Sequence, residues 1–193
     1  MTTTTPHPFA LPRPEHATLL IVDVQERLLP AMPEAEQAAL LKHVTNLAAL
    51  FADAGGHIVY TEQYPKGLGP TVAPLAAALA ATPGAVRLEK IEFSACAAPA
   101  YEPLATTVAQ DVVLVGMEAH VCVLQTGLDL LARGHRVWVP LDAVASRRAS
   151  CRDNGLALLE RGGAITVNTE SLVFQSLGRA GTDRFKRFSA LVR

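Results

Sequence analysis

Three side chains in this sequence have the type and setting that chemistry needs. Cys122 lies in GMEAHVCVLQTGLDLLARGH, Gly116 to His135, where a strand-like run gives way to a helical one. A thiol in the first turn of a helix sits among unpaired backbone N–H groups at the positive end of the macrodipole. That setting lowers a thiol pKa and can hold a developing oxyanion. The same residue also reads as a small buried hydrophobe, the ordinary use of a free cysteine. Asp23 ends the apolar run of LLIVDVQERL, where a carboxylate is costly to desolvate without a partner or a task. A helix cap or turn is the ordinary use of such an aspartate. Lys90, in RLEKIEFSAC, follows a strand-like run, a place where lysines are usually solvated. From residue type and setting alone, each of the three keeps both readings.

The elements that must position them are legible as hydrophobic patterns. Thr18 to Val24 is a short Ile, Leu and Val run without alternation, as expected of a parallel strand covered on both faces. His57 to Thr61, Asp111 to Gly116 and His135 to Pro140 repeat it, and Ala85 to Leu88 and Ala164 to Val167 are weaker strands. Between them Pro33 to Ala54, Val72 to Ala81, Ala100 to Ala109, Val121 to Arg133 and Ser150 to Arg161 space their apolar residues three to four apart, the helical period. Glycines in AGGH, ARGH and RGGA close the first, fourth and fifth of these helices before a strand resumes. Such alternation predicts an α/β fold: a three-layer α/β/α sandwich around a mainly parallel sheet of about six strands. Ligands of such sheets bind outside the carboxyl ends of the strands. Asp23, Thr61 to Pro65, Lys90 and Gly116 to Cys122 all fall at that edge.

Composition narrows the partners. The chain has 193 residues, 50% hydrophobic and 18% charged, enough for one domain with a sizeable core. Seventeen basic and eighteen acidic residues leave a net charge of -1, without the electrostatic footprint of a nucleic-acid or anionic-membrane binder. Cys96, Cys122 and Cys151 are odd in number and lack a CxxC pair, so neither a disulfide framework nor a structural zinc site is indicated, and a reducing cytoplasm fits. Residues 1–16 hold four threonines and four prolines without a basic segment or apolar core; they read as a flexible arm ahead of a single domain over 17–193. No uncharged apolar run reaches the ~20 residues of a membrane span.

The segments LLIVDVQERL, TEQYPKGLGPT, EKIEFSAC and GMEAHVCVLQTGLDLLARGHRVWVPLDAVASR resemble the isochorismatase-like cysteine hydrolases, within them the isochorismatase-domain-containing group. The likeness runs from Thr18 to about Lys186. It implies an Asp, Lys and Cys triad at Asp23, Lys90 and Cys122, in which Asp23 takes the thiol proton, Lys90 holds Asp23 and the thiolate, and Cys122 attacks a carbonyl carbon. It further implies a cis peptide at Met117-Glu118 and an oxyanion hole made by the backbone N–H groups of Glu118 and Cys122. Nicotinamidases of the superfamily carry an Asp-x-His metal motif after the second strand. This sequence reads Thr61-Glu62-Gln63-Tyr64-Pro65 there, so no metal or other cofactor is expected. Isochorismatases proper lack the cysteine and cleave a vinyl ether, and Cys122 therefore argues against isochorismate as substrate.

Gln25, Tyr64, Phe93, Ser94 and His120 adjoin these motifs and are placed to contact a substrate, although Tyr64 and Phe93 read equally as core or interface aromatics. His57 reads as a satisfied polar residue. Cys96 and Cys151 read as structural, and Arg147-Arg148 as a solvated turn. The C-terminal FQSLGRAGTDRFKRFSALVR reads as two short helices at a subunit contact. The expectation is a metal-independent, homo-oligomeric (dimer or larger) cysteine hydrolase of a small amide, carbamoyl or related acyl compound. The alternative is a non-catalytic binding or scaffold protein that retains the fold.

Overall fold

The computed structural model describes residues 10–192. Seven strands form one sheet, all paired in parallel: β1 (Ala17–Val22), β2 (His57–Gln63), β3 (Val86–Lys90), β4 (Asp111–Met117), β5 (Arg136–Pro140), β6 (Val144–Ala145) and β7 (Ile165–Val167). Their order is β3-β2-β1-β4-β5-β7, with the two-residue β6 paired to β4. The helices are α1 (Glu34–Ala54), α2 (Pro65–Leu68), α3 (Ala73–Ala80), α4 (Cys122–Ala132), α5 (Ala149–Arg161), α6 (Thr169–Leu177) and α7 (Asp183–Leu191).

Alternate residues of a strand point to opposite faces, and β1 divides accordingly. Leu19 and Ile21 join one apolar core with Val44, Leu47 and Phe51 of α1 and Leu75 of α3. Leu20 and Val22 join the other with Val123 and Leu130 of α4 and Leu159 of α5. Both faces of β1 are buried along its whole length, which is why its sequence does not alternate. Leu40, Val44, Leu47 and Phe51 of α1 recur at four, three and four residues and make the stripe it buries.

The sheet ends define the site. Registers pair Val22 with Gly116 across β1 and β4, and Gln63 with Lys90 across β2 and β3. Gly116 has φ 111°, and a Cβ there would lie 2.1 Å from the Val22 carbonyl oxygen. Only glycine lets the two strand ends come this close.

Several local expectations are corrected. β1 stops at Val22, and Asp23 takes φ 52° as the chain turns out of the sheet. Lys90 is the last residue of β3 rather than a residue beyond it, and His135 precedes β5. The helix expected over Ala100 to Ala109 is a 3-10 segment, Pro99–Leu104, followed by turns; Pro103 inside it supplies no N–H for an α-helical bond. β6 and α2 are too short to have a pattern. Of the expected arm, residues 1–9 lie outside the described residues, whereas Leu11 packs against the core and Pro14 is buried in a 3-10 turn. No helix among the described residues is long and apolar enough to cross a membrane.

Candidate active site

Asp23, Lys90 and Cys122 converge at the carboxyl end of the sheet. Asp23, turned inward just beyond β1, is fully buried. Its Oδ2 accepts from Lys90 Nζ at 2.7 Å and its Oδ1 from Thr61 Oγ1 at 2.5 Å. The Lys90 ammonium donates also to Gln63 Oε1 at 2.7 Å and to the carbonyls of Glu92 and Phe93 at 3.3 and 3.2 Å. A buried ion pair persists only when such additional bonds satisfy its remaining protons and lone pairs. Thr61 and Gln63 of β2 therefore complete the arrangement. Residue-type reasoning missed both; their position at the end of β2, beside Asp23 and Lys90 in the sheet, is the signal that finds them.

Cys122 opens α4 and shares one cavity with Asp23, and the charges of Asp23 and Lys90 both act on its thiol. The expected lowering of its pKa does not occur: burial, then the charge of Asp23, push the thiol up to about 12 against the opposing pull of Lys90. Loss of water around the sulfur outweighs the helix terminus. The resting group is a neutral thiol beside a carboxylate.

The loop before Cys122 is pinned from three sides. The Met117-Glu118 peptide is cis. Glu118 Oε2 accepts from Arg147 N at 3.1 Å and Nε at 3.0 Å, and Ala119 N donates to the Ala145 carbonyl of β6. The Glu118 carbonyl accepts from Val121 N and Val123 N. Among the described residues, no partner takes the N–H of Glu118 or of Cys122.

A cavity of about 120 Å³ opens over the thiol. Leu28, Leu68, Phe93 and Val121 supply its apolar lining, alongside Asp23, Gln63, Glu118 and Cys122. Of the five residues placed to contact substrate, Phe93 lines this cavity and is 53% exposed. Gln25 is buried and spent on the end of β2 and the loop after it, donating to the carbonyls of Gln63 and Gly69 and accepting from Gln63 N. Ser94 caps a 3-10 turn, accepting from Cys96 N and donating to Asp129 at 2.6 Å. Tyr64 is exposed and lines a separate cavity of about 470 Å³ with Lys66 and Ile91. His120 meets Ser146 Oγ at 3.0 Å and faces a third cavity, of about 260 Å³, with Arg147, Arg148 and Cys151.

The remaining candidates are structural in their contacts. His57 Nδ1 lies 3.2 Å from Thr18 Oγ1. Cys96 is buried among apolar residues, and burial pushes its thiol up to about 11. The Glu62 carboxylate is taken by Thr71 N and Oγ1 and by Arg87. Among the described residues no group of three or more His, Cys, Asp or Glu side chains is arranged to hold a metal.

Comparison with known proteins identifies the family and the fold. The chain is 34% identical to isochorismatase domain-containing protein 2A of Mus musculus over 180 residues, 93% of this chain and 84% of the relative. Among solved structures, the MAR1 ribonuclease of Caenorhabditis elegans matches with TM-score 0.85 and 33% identity over 95% of this chain and 92% of that one. The YcaC gene product of Escherichia coli, described as an octameric hydrolase of unknown specificity, shares the fold at TM-score 0.79 and 19% identity, over 97% and 89% of the two chains. The isochorismatase domain model matches residues 17–171. The chain belongs to the isochorismatase family, in the group of isochorismatase domain-containing proteins.

Proposed function

We propose that this chain is a cysteine hydrolase of a small amide, carbamoyl or related acyl compound, with Cys122 as nucleophile, Asp23 as base and Lys90 as their electrostatic partner. The observation that carries the reading is a thiol at the start of α4 that lines one cavity with a buried, ion-paired carboxylate. With its pKa near 12, the thiol needs a base at the moment of attack.

In the proposed reaction Asp23 accepts the Sγ proton as sulfur bonds to the carbonyl carbon. The carbonyl electron pair moves to oxygen, where the N–H groups of Glu118 and Cys122 are free to receive it. The C–N bond breaks, and the amine leaves with the proton held by Asp23. Water then gives a proton to Asp23 and attacks the thioester, which releases the carboxylic acid and returns the thiol. Lys90 fixes the direction of the Asp23 carboxylate.

One observation favours a non-catalytic binding protein: a thiol so far above neutrality is inert unless Asp23 acts on it. The nematode relative is called a ribonuclease, which suggests RNA cleavage; the cavity of about 120 Å³ and the net charge of -1 support a small substrate instead. Intact mass spectrometry of the protein incubated with a panel of small amides, carbamates and esters tests the proposal. An acyl adduct that maps to Cys122, with turnover that Cys122→Ala abolishes, is the expected result; absence of both across the panel supports the binding role. Exposed Phe174 on α6 supports self-association through the C-terminal helices, and three free thiols support a reducing, cytoplasmic setting.

A further inference from the structure

The walls of the Cys122 cavity narrow the substrate. Resting on the hydrolase reading, we propose that the substrate is an uncharged compound with a short aliphatic acyl chain, whose length is set by Leu68.

Size is the first argument. A cavity of about 120 Å³ holds roughly four water-sized groups, each taking about 30 Å³. A three- to five-carbon acyl group fills it, and a longer chain outgrows it. Leu28, Leu68, Phe93 and Val121 offer that chain only apolar contacts.

Charge is the second. The two ionisable side chains besides the thiol that line the cavity are carboxylates, Asp23 and Glu118. The nearest ammonium, Lys90, spreads its three N–H bonds over Asp23, Gln63 and the carbonyls of Glu92 and Phe93, and keeps none for a ligand. Arg147 directs Nε at Glu118 and lines the His120 cavity on the other side. A substrate carboxylate would be buried beside two carboxylates, with the N–H groups of Glu118 and Cys122 already taken by the reacting carbonyl. A substrate ammonium would find both carboxylates already engaged and apolar walls around it. Gln63 is likewise spent, accepting from Lys90 and donating to the Ile91 carbonyl. Recognition beyond the reacting carbonyl is therefore steric.

Leu68 is the adjustable wall. It stands on the four-residue α2 and outside the three apolar core clusters, unlike Leu28, which packs against the main core. Its replacement changes the cavity with little loss of core packing.

The test uses the full chain and a series of primary amides, from acetamide through butyramide to hexanamide, with succinamic acid and β-alaninamide as charged members. Ammonia release and the mass of Cys122 are read together. We expect kcat/KM to peak at three to five carbons and to fall about 10-fold or more at hexanamide, the scale of a few misfitting methylenes. The charged members should fall by about 100-fold or more relative to butyramide. Leu68→Ala should move the peak toward hexanamide and Leu68→Phe toward acetamide. Failure of every amide, and of the carbamates and esters, to acylate Cys122 overturns the hydrolase reading and this one with it; failure of the amides alone overturns this inference. Acylation of Cys122 in which succinamic acid matches butyramide, or a peak that neither Leu68 variant moves, overturns this inference alone. The charge comparison in the unmodified protein stands even if a Leu68 variant does not fold.

Discussion

Lys90 Nζ meets Asp23 Oδ2 at 2.7 Å with both side chains wholly removed from solvent. The pair links the last residue of β3 to the turn after β1, two strands away across the sheet. Its burial makes it sensitive to the loss of either partner, because the survivor is left as an uncompensated charge.

Lys90→Met should destabilise the fold by about 3–5 kcal/mol, the usual cost of breaking one side of a buried pair. Adding Asp23→Asn to Lys90→Met should recover part of the loss. Urea denaturation of the two single variants and the double variant measures this, and strictly additive losses would contradict the coupling.

Removal of the nucleophile and of the base should fail differently. Cys122→Ala should abolish both the covalent adduct and turnover. Asp23→Asn keeps the shape but removes the proton acceptor, so turnover should fall by at least about 100-fold while binding persists. If Asp23→Asn turns over at near the wild-type rate in a folded protein, some other group activates the thiol.

Alkaline pH should loosen the fold through its buried thiols. Cys122 is raised to about 12 and Cys96 to about 11, both above the ordinary 9.0. Groups raised by folding hold their protons more tightly in the folded state, so their contribution is complete below pH 9 and is lost as pH rises through 11 and 12. The urea midpoint should fall between pH 8 and pH 10.5, and fall less in the Cys96→Ala and Cys122→Ala variants. Alkylation of Cys122 by iodoacetamide should likewise keep rising beyond pH 9. A plateau near neutrality would show that the thiol is ionised there.

Self-association is expected through the C-terminal helices, where Phe174 of α6 is exposed. Light scattering at micromolar concentration should return at least twice the 20.5 kDa chain mass, and Phe174→Glu should lower it. A 20.5 kDa particle for the unmodified protein rules the assembly out.

The sequence by itself determined the alternation of strands and helices, because apolar spacing reports which faces a segment must bury and that requirement is local. It also brought Asp23, Lys90 and Cys122 forward through the motifs around them; the structure pairs Asp23 with Lys90 and lines one cavity with Asp23 and Cys122. Where proline or brevity removes the periodic signal, as in Pro99–Leu104, α2 and β6, the pattern fails. Only tertiary structure decided which neighbours of the motifs reach the cavity. Gln25 lies two residues from Asp23, and His120 two from Cys122. Gln25 is nevertheless bonded to the end of β2 and the loop after it, and His120 faces another cavity. Side-chain direction in a turn follows backbone angles such as the φ 52° of Asp23, which packing of distant segments imposes and neighbouring residue types do not. The pKa of Cys122 was decided in the same way. A helix start favours the thiolate locally, but β1 and β4 bring Asp23 and a dry core around the sulfur, and desolvation with a like charge outweighs the helix terminus.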